Sequence, residues 1–259
     1  MPRSIWNGAI MLGRIPVAVK VYSATEDHTI HFHQVHAADG EQLKQRRVCA
    51  KEGREVPYKE VVKGYERSNG KYVVLSQDEI AAAAGDRAHV IELEQFVASD
   101  EIDPVFFDRP YYLGAQDKDA RGPYRLLHDA LAKTGRTGLG RWVFHNREYL
   151  VGVRVIDDVV ALHTMRFADE LVDPAKLELS RAKRAPGRRE VEMAGRLVDS
   201  LQARFDPEAF SDSYRERVAQ LIDAKARGET PEIEQEPSRG QEDVDLMGAL
   251  EASLAGSGR

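Results

Sequence analysis

Apolar and polar positions alternate most cleanly near the start of the chain, where Ile15, Val17, Val19 and Val21 are interleaved with Pro16, Ala18, Lys20 and Tyr22. A period of two predicts a strand buried on one face. Shorter runs predict strands at Ile30 and Phe32, at Lys71–Leu75 behind the Asn69-Gly70 turn signal, and at Val90–Val97. Ser76 followed by Glu79 is the pattern of a capping box and predicts a short helix over Ser76–Ala84. Further on, Tyr124–Lys133 reads as a helix closed by Gly135. Trp142–Phe144 and Tyr149–Val155 read as strands, and Asp157-Asp158 supplies the turn into a strand at Val159–Met165.

The last third changes period. Val191, Ala194, Val198, Leu201 and Phe205 recur at gaps of three and four, one apolar stripe on a helix that Asp206-Pro207 ends. Tyr214, Val218, Leu221 and Ile222 begin a second helix, capped by Ser211 or Asp212 and closed by Gly228. Glu229–Asp243 is polar and acidic with two prolines, a linker composition. Asp245–Leu254 follows as a short amphipathic helix with Leu246, Leu250 and Leu254 four apart. Many strands and few helices predict an α+β, mostly β fold around a barrel core. The division expected is a barrel core over 1–190, a helical region over 191–228, and a linker with a terminal helix over 229–259.

At 42% hydrophobic residues the 259-residue chain can bury a core. It has no apolar run long enough for a membrane span, and its first residues lack the apolar centre of a signal peptide. A cytoplasmic protein is expected. The net charge of -6 argues against a nucleic-acid binder until its distribution is read. Residues 229–259 hold eight acidic and two basic side chains; removing them from the totals of 43 and 37 leaves 35 of each sign in residues 1–228. A neutral body binds phosphate if its cations are segregated onto one surface.

Candidate chemistry is thin. His28, His31, His33 and His36 crowd one segment, but no carboxylate or thiol at a fixed spacing completes a zinc site, so a polar strand face is the expectation. Gly135-Arg136-Thr137-Gly138-Leu139-Gly140-Arg141 lacks the Gly-Lys-Ser/Thr ending of a phosphate loop. It also follows a helix where such a loop precedes one, and it reads as a helix stop and loop. The acidic runs Asp100, Glu101, Asp103 and Asp117, Asp119 read as turns. Cys49, the single cysteine, excludes an internal disulfide and reads as a structural thiol. No metal and no cofactor are expected. Two basic clusters remain: Lys44, Arg46, Arg47, Lys51 and Arg54, and Arg181–Arg189 around Pro186-Gly187, the latter expected as an exposed flexible loop. The first suits a ribbon that tracks a phosphate backbone, and its scarcity of aromatics argues against stacking on single-stranded bases.

Ordered sequence blocks carry a resemblance. Ser4–Ile10, Ile15–Tyr22, Ala24-Thr25-Glu26 and Phe32–His36 open the chain, followed by Arg47-Val48-Cys49, Val61–Glu66, Lys71–Leu75, Glu101–Pro104 and Tyr111-Tyr112-Leu113. Tyr124–Leu127, Phe167–Glu170, Met193–Ser200, Asp212–Glu216, Glu242–Leu246 and Ala249–Ser253 continue the order. The chain resembles the bacterial Ku proteins of non-homologous end joining.

The resemblance implies a seven-stranded β-barrel with an extended dimerisation arm and C-terminal helices. Two arms would interlock into a homodimeric ring that duplex DNA threads from an end. It implies a binding protein, not an enzyme, nucleoid-associated in the cytoplasm, with a multifunctional ATP-dependent DNA ligase as partner. By position, the Lys44–Arg54 segment should bridge the DNA. Lys20, Lys63, Arg109, Arg136, Arg141 and Arg154 are further candidates for the lining. Leu246, Met247, Leu250 and Leu254 are candidates for ligase docking, with folding back onto the chain's own core as the alternative for that helix. Dimer contacts are expected from the middle segments and the helices after Val191. Two departures are visible: Glu52 stands where many relatives have a second cysteine, and the chain reaches Arg259 without the lysine-rich tail that many carry. A metal-dependent nuclease, from the acidic runs and histidines, and a nucleoid binder without end preference are the competing readings.

Overall fold

The computed structural model describes residues 3–84, 89–145, 147–177 and 185–229, together with Gly248, Leu250, Glu251 and Ser253 of the C-terminal segment. In chain order the elements are β1 (Trp6–Leu12), β2 (Ile15–Ser23), β3 (Lys63–Glu66), β4 (Tyr72–Leu75), α1 (Gln77–Ala84), β5 (Val90–Ala98) and β6 (Phe107–Ala115). Then come α2 (Arg121–Thr134), β7 (Arg136–Phe144), β8 (Arg147–Ile156), β9 (Val159–Met165), α3 (Arg188–Ser200) and α4 (Ser213–Ala226). The chain divides into two compact units, one of residues 1–28 and 32–176, the other of residues 29–31 and 177–259.

Seven strands close a barrel in the order β1-β2-β6-β9-β8-β7-β5. Closure comes from a parallel pairing of β1 with β5, Ala9 opposite Val90 and Met11 opposite Glu92; every other neighbouring pair in the barrel is antiparallel. The period of two at Ile15–Tyr22 is realised in β2, where Val17, Val19 and Val21 are fully buried and Ala18, Lys20 and Tyr22 face outward. Ile10, Ile91, Leu113, Val151, Val153, Val160 and Leu162 complete the interior with Leu127 and Leu131 of α2. Each such side chain stabilises by about 1.5–3 kcal/mol on burial. Trp142 lies at the centre, edge-on to Trp6 at 5.7 Å and to Tyr111 at 5.5 Å.

Local chemistry explains several element ends. Glu79 accepts from the Ser76 backbone N–H at 2.7 Å and Ser76 Oγ accepts from the Glu79 N–H at 3.1 Å, so the capping box starts α1 as expected. α2 begins at Arg121, three residues earlier than its apolar pattern, because Gly122 and Pro123 are tolerated in a first turn where N–H groups have no helical partner. It ends at Gly135 in the left-handed region. Asp157 and Asp158, both at positive φ, form the turn between β8 and β9.

Some expectations are corrected. No strand forms at Ile30 and Phe32. Phe32 is exposed, and the chain there has left the barrel with no neighbouring strand to pair with. Arg136–Arg141 is the first two-thirds of β7, not a loop: its glycines admit the close approach of β5. α3 stops at Ser200, short of Phe205, which stacks on Phe210 across the Asp206-Pro207 turn. Arg188 and Arg189 open α3 instead of lying in a flexible loop; Arg181, Lys183 and Arg184 lie outside the described residues. Asp212 caps α4, its carboxylate accepting from the Arg215 N–H at 3.0 Å. The linker beyond Glu229, and Leu246, Met247 and Leu254, also fall outside the described residues; Leu250 is helical and half-buried.

Candidate nucleic-acid interface

Between β2 and β5, residues 24–28 and 32–84 form an inserted arm. None of its described residues is buried. Its apolar side chains face solvent instead, Tyr58 at 77% exposure, Tyr65 at 69% and Val74 at 60%. β3 and β4 pair as an antiparallel hairpin, a unit of marginal stability alone. Two tight turns precede it. In the first, the His36 N–H donates to Glu41 O and the Gly40 N–H to His36 O; in the second, the Cys49 N–H donates to Arg54 O and the Gly53 N–H to Cys49 O. Gly40 and Gly53 take the positive φ that each turn requires.

The second turn presents the basic ribbon. Lys44, Arg46, Arg47, Lys51 and Arg54 are all exposed. Arg46 pairs with Glu55 at 3.4 Å across the Val48–Glu55 bridge, and Arg54 pairs with Glu52. The Arg47 guanidinium lies over the Tyr58 ring at 5.2 Å. Lys44 and Lys51 have no ion pair among the described residues, and neither does Lys63 on β3. All three ammonium groups are exposed to solvent.

The barrel cations are dispersed. Lys20 projects from the outer face of β2, opposite Asn7 on one side and Gly114 on the other. Arg154 projects from β8 opposite Ala161, its guanidinium over the Phe107 ring at 5.0 Å. Arg136 is exposed and donates to Phe96 O at 3.5 Å. Arg141 is held between Glu94 at 3.1 Å and Glu148 at 3.0 Å, which neutralise its charge. Arg109 lines a half-enclosed cavity of about 1010 Å³ at the mouth of the barrel, with Tyr111, Phe144, His145, Arg147 and Tyr149. Sequence reasoning missed this cavity, because its walls come from segments over a hundred positions apart.

His163, on the outer side of β9, packs edge-on to Phe107 at 5.1 Å. Burial, and secondarily the charge of Arg154, push its pKa down to about 4. The unfolded chain takes up this proton near the ordinary histidine pKa of about 6.5. Between the two values the unfolded state binds more protons, so stability falls as pH drops from 6.5 to 4. In urea titrations His163→Leu is expected to flatten that part of the pH profile; an unchanged slope would assign acid sensitivity to carboxylates alone.

The acidic runs have backbone duties. Glu101 accepts from the Ala98 N–H at 3.2 Å, Asp103 from the Val105 N–H at 2.9 Å, and Asp117 from the Asp119 and Ala120 N–H groups. The histidines are spread: His36 meets Asp39 at 3.0 Å and holds that carboxyl below its usual range, while His28 lies 3.8 Å from Glu26. Among the described residues no cluster of three or more such side chains is arranged for a metal ion. No described helix is long and apolar enough to cross a membrane.

Comparison with known proteins gives the arrangement its context. The family model of the Ku70/Ku80 beta-barrel domain matches residues 11–193. The Non-homologous end joining protein Ku of Anaeromyxobacter sp. (strain K) is 42% identical over 260 residues, covering 100% of this chain and 87% of the relative. The protein of the same name from Mycobacterium tuberculosis is 37% identical over 270 residues, covering 97% and 94%. The Non-homologous end joining protein Ku 1 of Saccharopolyspora erythraea is 38% identical over 255 residues, covering 98% and 78%. With a closed seven-stranded barrel, a matching family model and relatives of one name matched over nearly all of the chain, this chain belongs to the Ku family.

Proposed function

We propose that the protein is a homodimeric DNA-end-binding ring of double-strand break repair, acting by binding and not by catalysis. One observation carries the reading beyond family membership. The arm between β2 and β5 has no core of its own, yet exposes Tyr58, Tyr65, Tyr72 and Val74 beside the free cations Lys44, Lys51 and Lys63. Apolar surface on that scale calls for a partner, and a second copy supplies an equal arm. Closed by two arms, the ring holds duplex by phosphate contacts from Lys44, Arg47, Lys51 and Lys63, with Lys20 and Arg154 on the barrel wall. Contacts to phosphate read no sequence. Arg141, already neutralised, contributes little; Arg46 and Arg54 contribute after exchanging their carboxylate partners for phosphate.

A ring is loaded only from an end. In gel shifts on a linear duplex of about 40 base pairs, linear plasmid is expected to compete at matched end concentration and covalently closed circles are not. Competition by circles would replace the ring with a nucleoid binder that grips duplex from the side. Raising salt should weaken binding with a log-log slope of about -0.9 for each phosphate neutralised.

The C-terminal helix is the proposed docking element for an ATP-dependent repair ligase, through Leu246, Met247, Leu250 and Leu254. Glu251 lies 3.9 Å from Arg189 at the start of α3, which supports the alternative of a helix folded back on its own unit. Deleting residues 229–259 is expected to reduce stimulation of the ligase while sparing end binding. Full stimulation by the truncated protein would favour the folded-back helix.

A further inference from the structure

We propose that the cavity at the barrel mouth binds one nucleoside monophosphate, free in solution or as the unpaired terminal nucleotide of a DNA strand; the second source rests on the end-binding reading above. At about 1010 Å³ the cavity is at the upper end of the range of about 300–1,000 Å³ for small-molecule sites.

The shape of the ligand follows from the rings. Trp142 stacks on Phe144 at 4.5 Å and 18°, and Phe144 stacks on His145 at 4.0 Å and 18°. This near-parallel pile runs from the barrel core to an exposed ring on the cavity wall. Tyr149 adds a second aromatic wall. A planar heterocycle extends such a pile with the same offset stacking that holds its members together.

The charge of the ligand follows from the ion pairs. Arg147 is engaged by Glu170 at 2.9 Å and lies over the Tyr149 ring at 5.1 Å. Asp108 is engaged by Arg166 at 2.9 Å. Among the arginines of the lining, Arg109 alone has no ion pair with a described residue. One guanidinium without a described carboxylate partner, beside the Tyr111 phenol, suits one phosphate, which it grips through paired N–H donors. The Tyr111 phenol, also in the lining, supplies a donor and an acceptor for a sugar, while the Thr164 hydroxyl is already taken by the Arg109 backbone N–H at 3.1 Å.

The full-length protein reports its own binding. Its two tryptophans, Trp6 and Trp142, are in ring contact, and Trp142 is at the base of the pile. Titration with deoxyadenosine 5′-monophosphate is expected to change tryptophan emission saturably. Arg109→Gln should weaken it about tenfold or more and leave binding of deoxyadenosine unchanged. His145→Gly should weaken both ligands, and it relieves the positive φ of 50° at that position, so loss of fold does not confound it. For the second source, duplexes with one unpaired 5′-phosphorylated nucleotide are compared with blunt duplexes. Tighter binding of the overhang that His145→Gly removes, with blunt-end affinity unchanged, assigns the strand terminus as occupant. A saturable response to the free nucleotide without overhang preference assigns the free ligand. No response at millimolar nucleotide together with equal binding of blunt and overhanging ends overturns the proposal and leaves end binding intact. If blunt duplex is not bound at all, end binding is what fails, and the free-nucleotide titration alone decides the cavity.

Discussion

Val74→Asp or Tyr65→Asp is expected to yield a folded monomer that has lost duplex binding, with apparent affinity reduced about 100-fold or more by loss of the second DNA-contacting arm. The physical ground is asymmetric exposure. Val74 and Tyr65 are 60% and 69% exposed in one chain, so a carboxylate there costs the isolated fold little. In a dimer whose arms interlock, the same carboxylate would be buried without a partner, which no such interface tolerates. Light scattering after size exclusion reads the mass, gel shift the affinity, and the thermal midpoint shows that the barrel persists. A dimer retained by both variants would move the contact off the hairpin. The exposed apolar row of Val191, Val198 and Leu201 along and just beyond α3 would then be tested by Val198→Asp.

The second large effect concerns closure of the barrel. Gly140→Ala is expected to lower stability by about 3 kcal/mol, at the upper end of the overpacking range. An added Cβ would press on the Glu92 carbonyl oxygen and come within 2.9 Å of its carbon and 3.2 Å of Leu93 Cα. These are backbone atoms, flanked by the buried side chains of Ile91 and Leu93, so they cannot swing aside. The ladder is irregular at this point, with a register shift between Leu93 and Gln95. Gly122→Ala is the control: nothing lies within 4 Å of its new methyl group, and in the first turn of α2 alanine gains helix propensity. Urea unfolding of the two variants should move in opposite directions. Similar midpoints would mean that β5 gives way at the bulge.

Gly140 also marks where sequence reading lost sight of the fold. Gly138 and Gly140 look like loop residues because glycine weakens a strand in isolation. Here the need for them arises across the sheet, from Phe96 and Leu93 beside Gly138 and from the Glu92 backbone beside Gly140. Where the cause is local the sequence was legible. Val17, Val19 and Val21 alternate inward, Ser76 and Glu79 cap one another, and Gly135 stops α2 by its own backbone freedom. The Ile30–Phe32 segment failed for the converse reason: its pattern suits a strand, but a strand also needs a neighbour. The cations of the arm were visible as a cluster in sequence. The neutralisation of Arg141 was not, since Glu94 is reached only through the pairing of β7 with β5.

Both ends of the arm leave the barrel at the same rim. β2 runs out at Ser23 beside the start of β1, where Val21 faces Trp6, and β5 begins with Val90 beside Ala9. At about 4.8 Å between strands and 3.3 Å per residue, two interstrand spacings and five residues separate the exits by about 19 Å. The barrel therefore treats everything between those exits as a cassette. Lengthening such an insertion costs little, about 0.6 kcal/mol for each doubling of a flexible loop. In the ring proposed above, the bore would follow the length of this insertion, which can change without touching the pairing of β1 with β5 that closes the barrel.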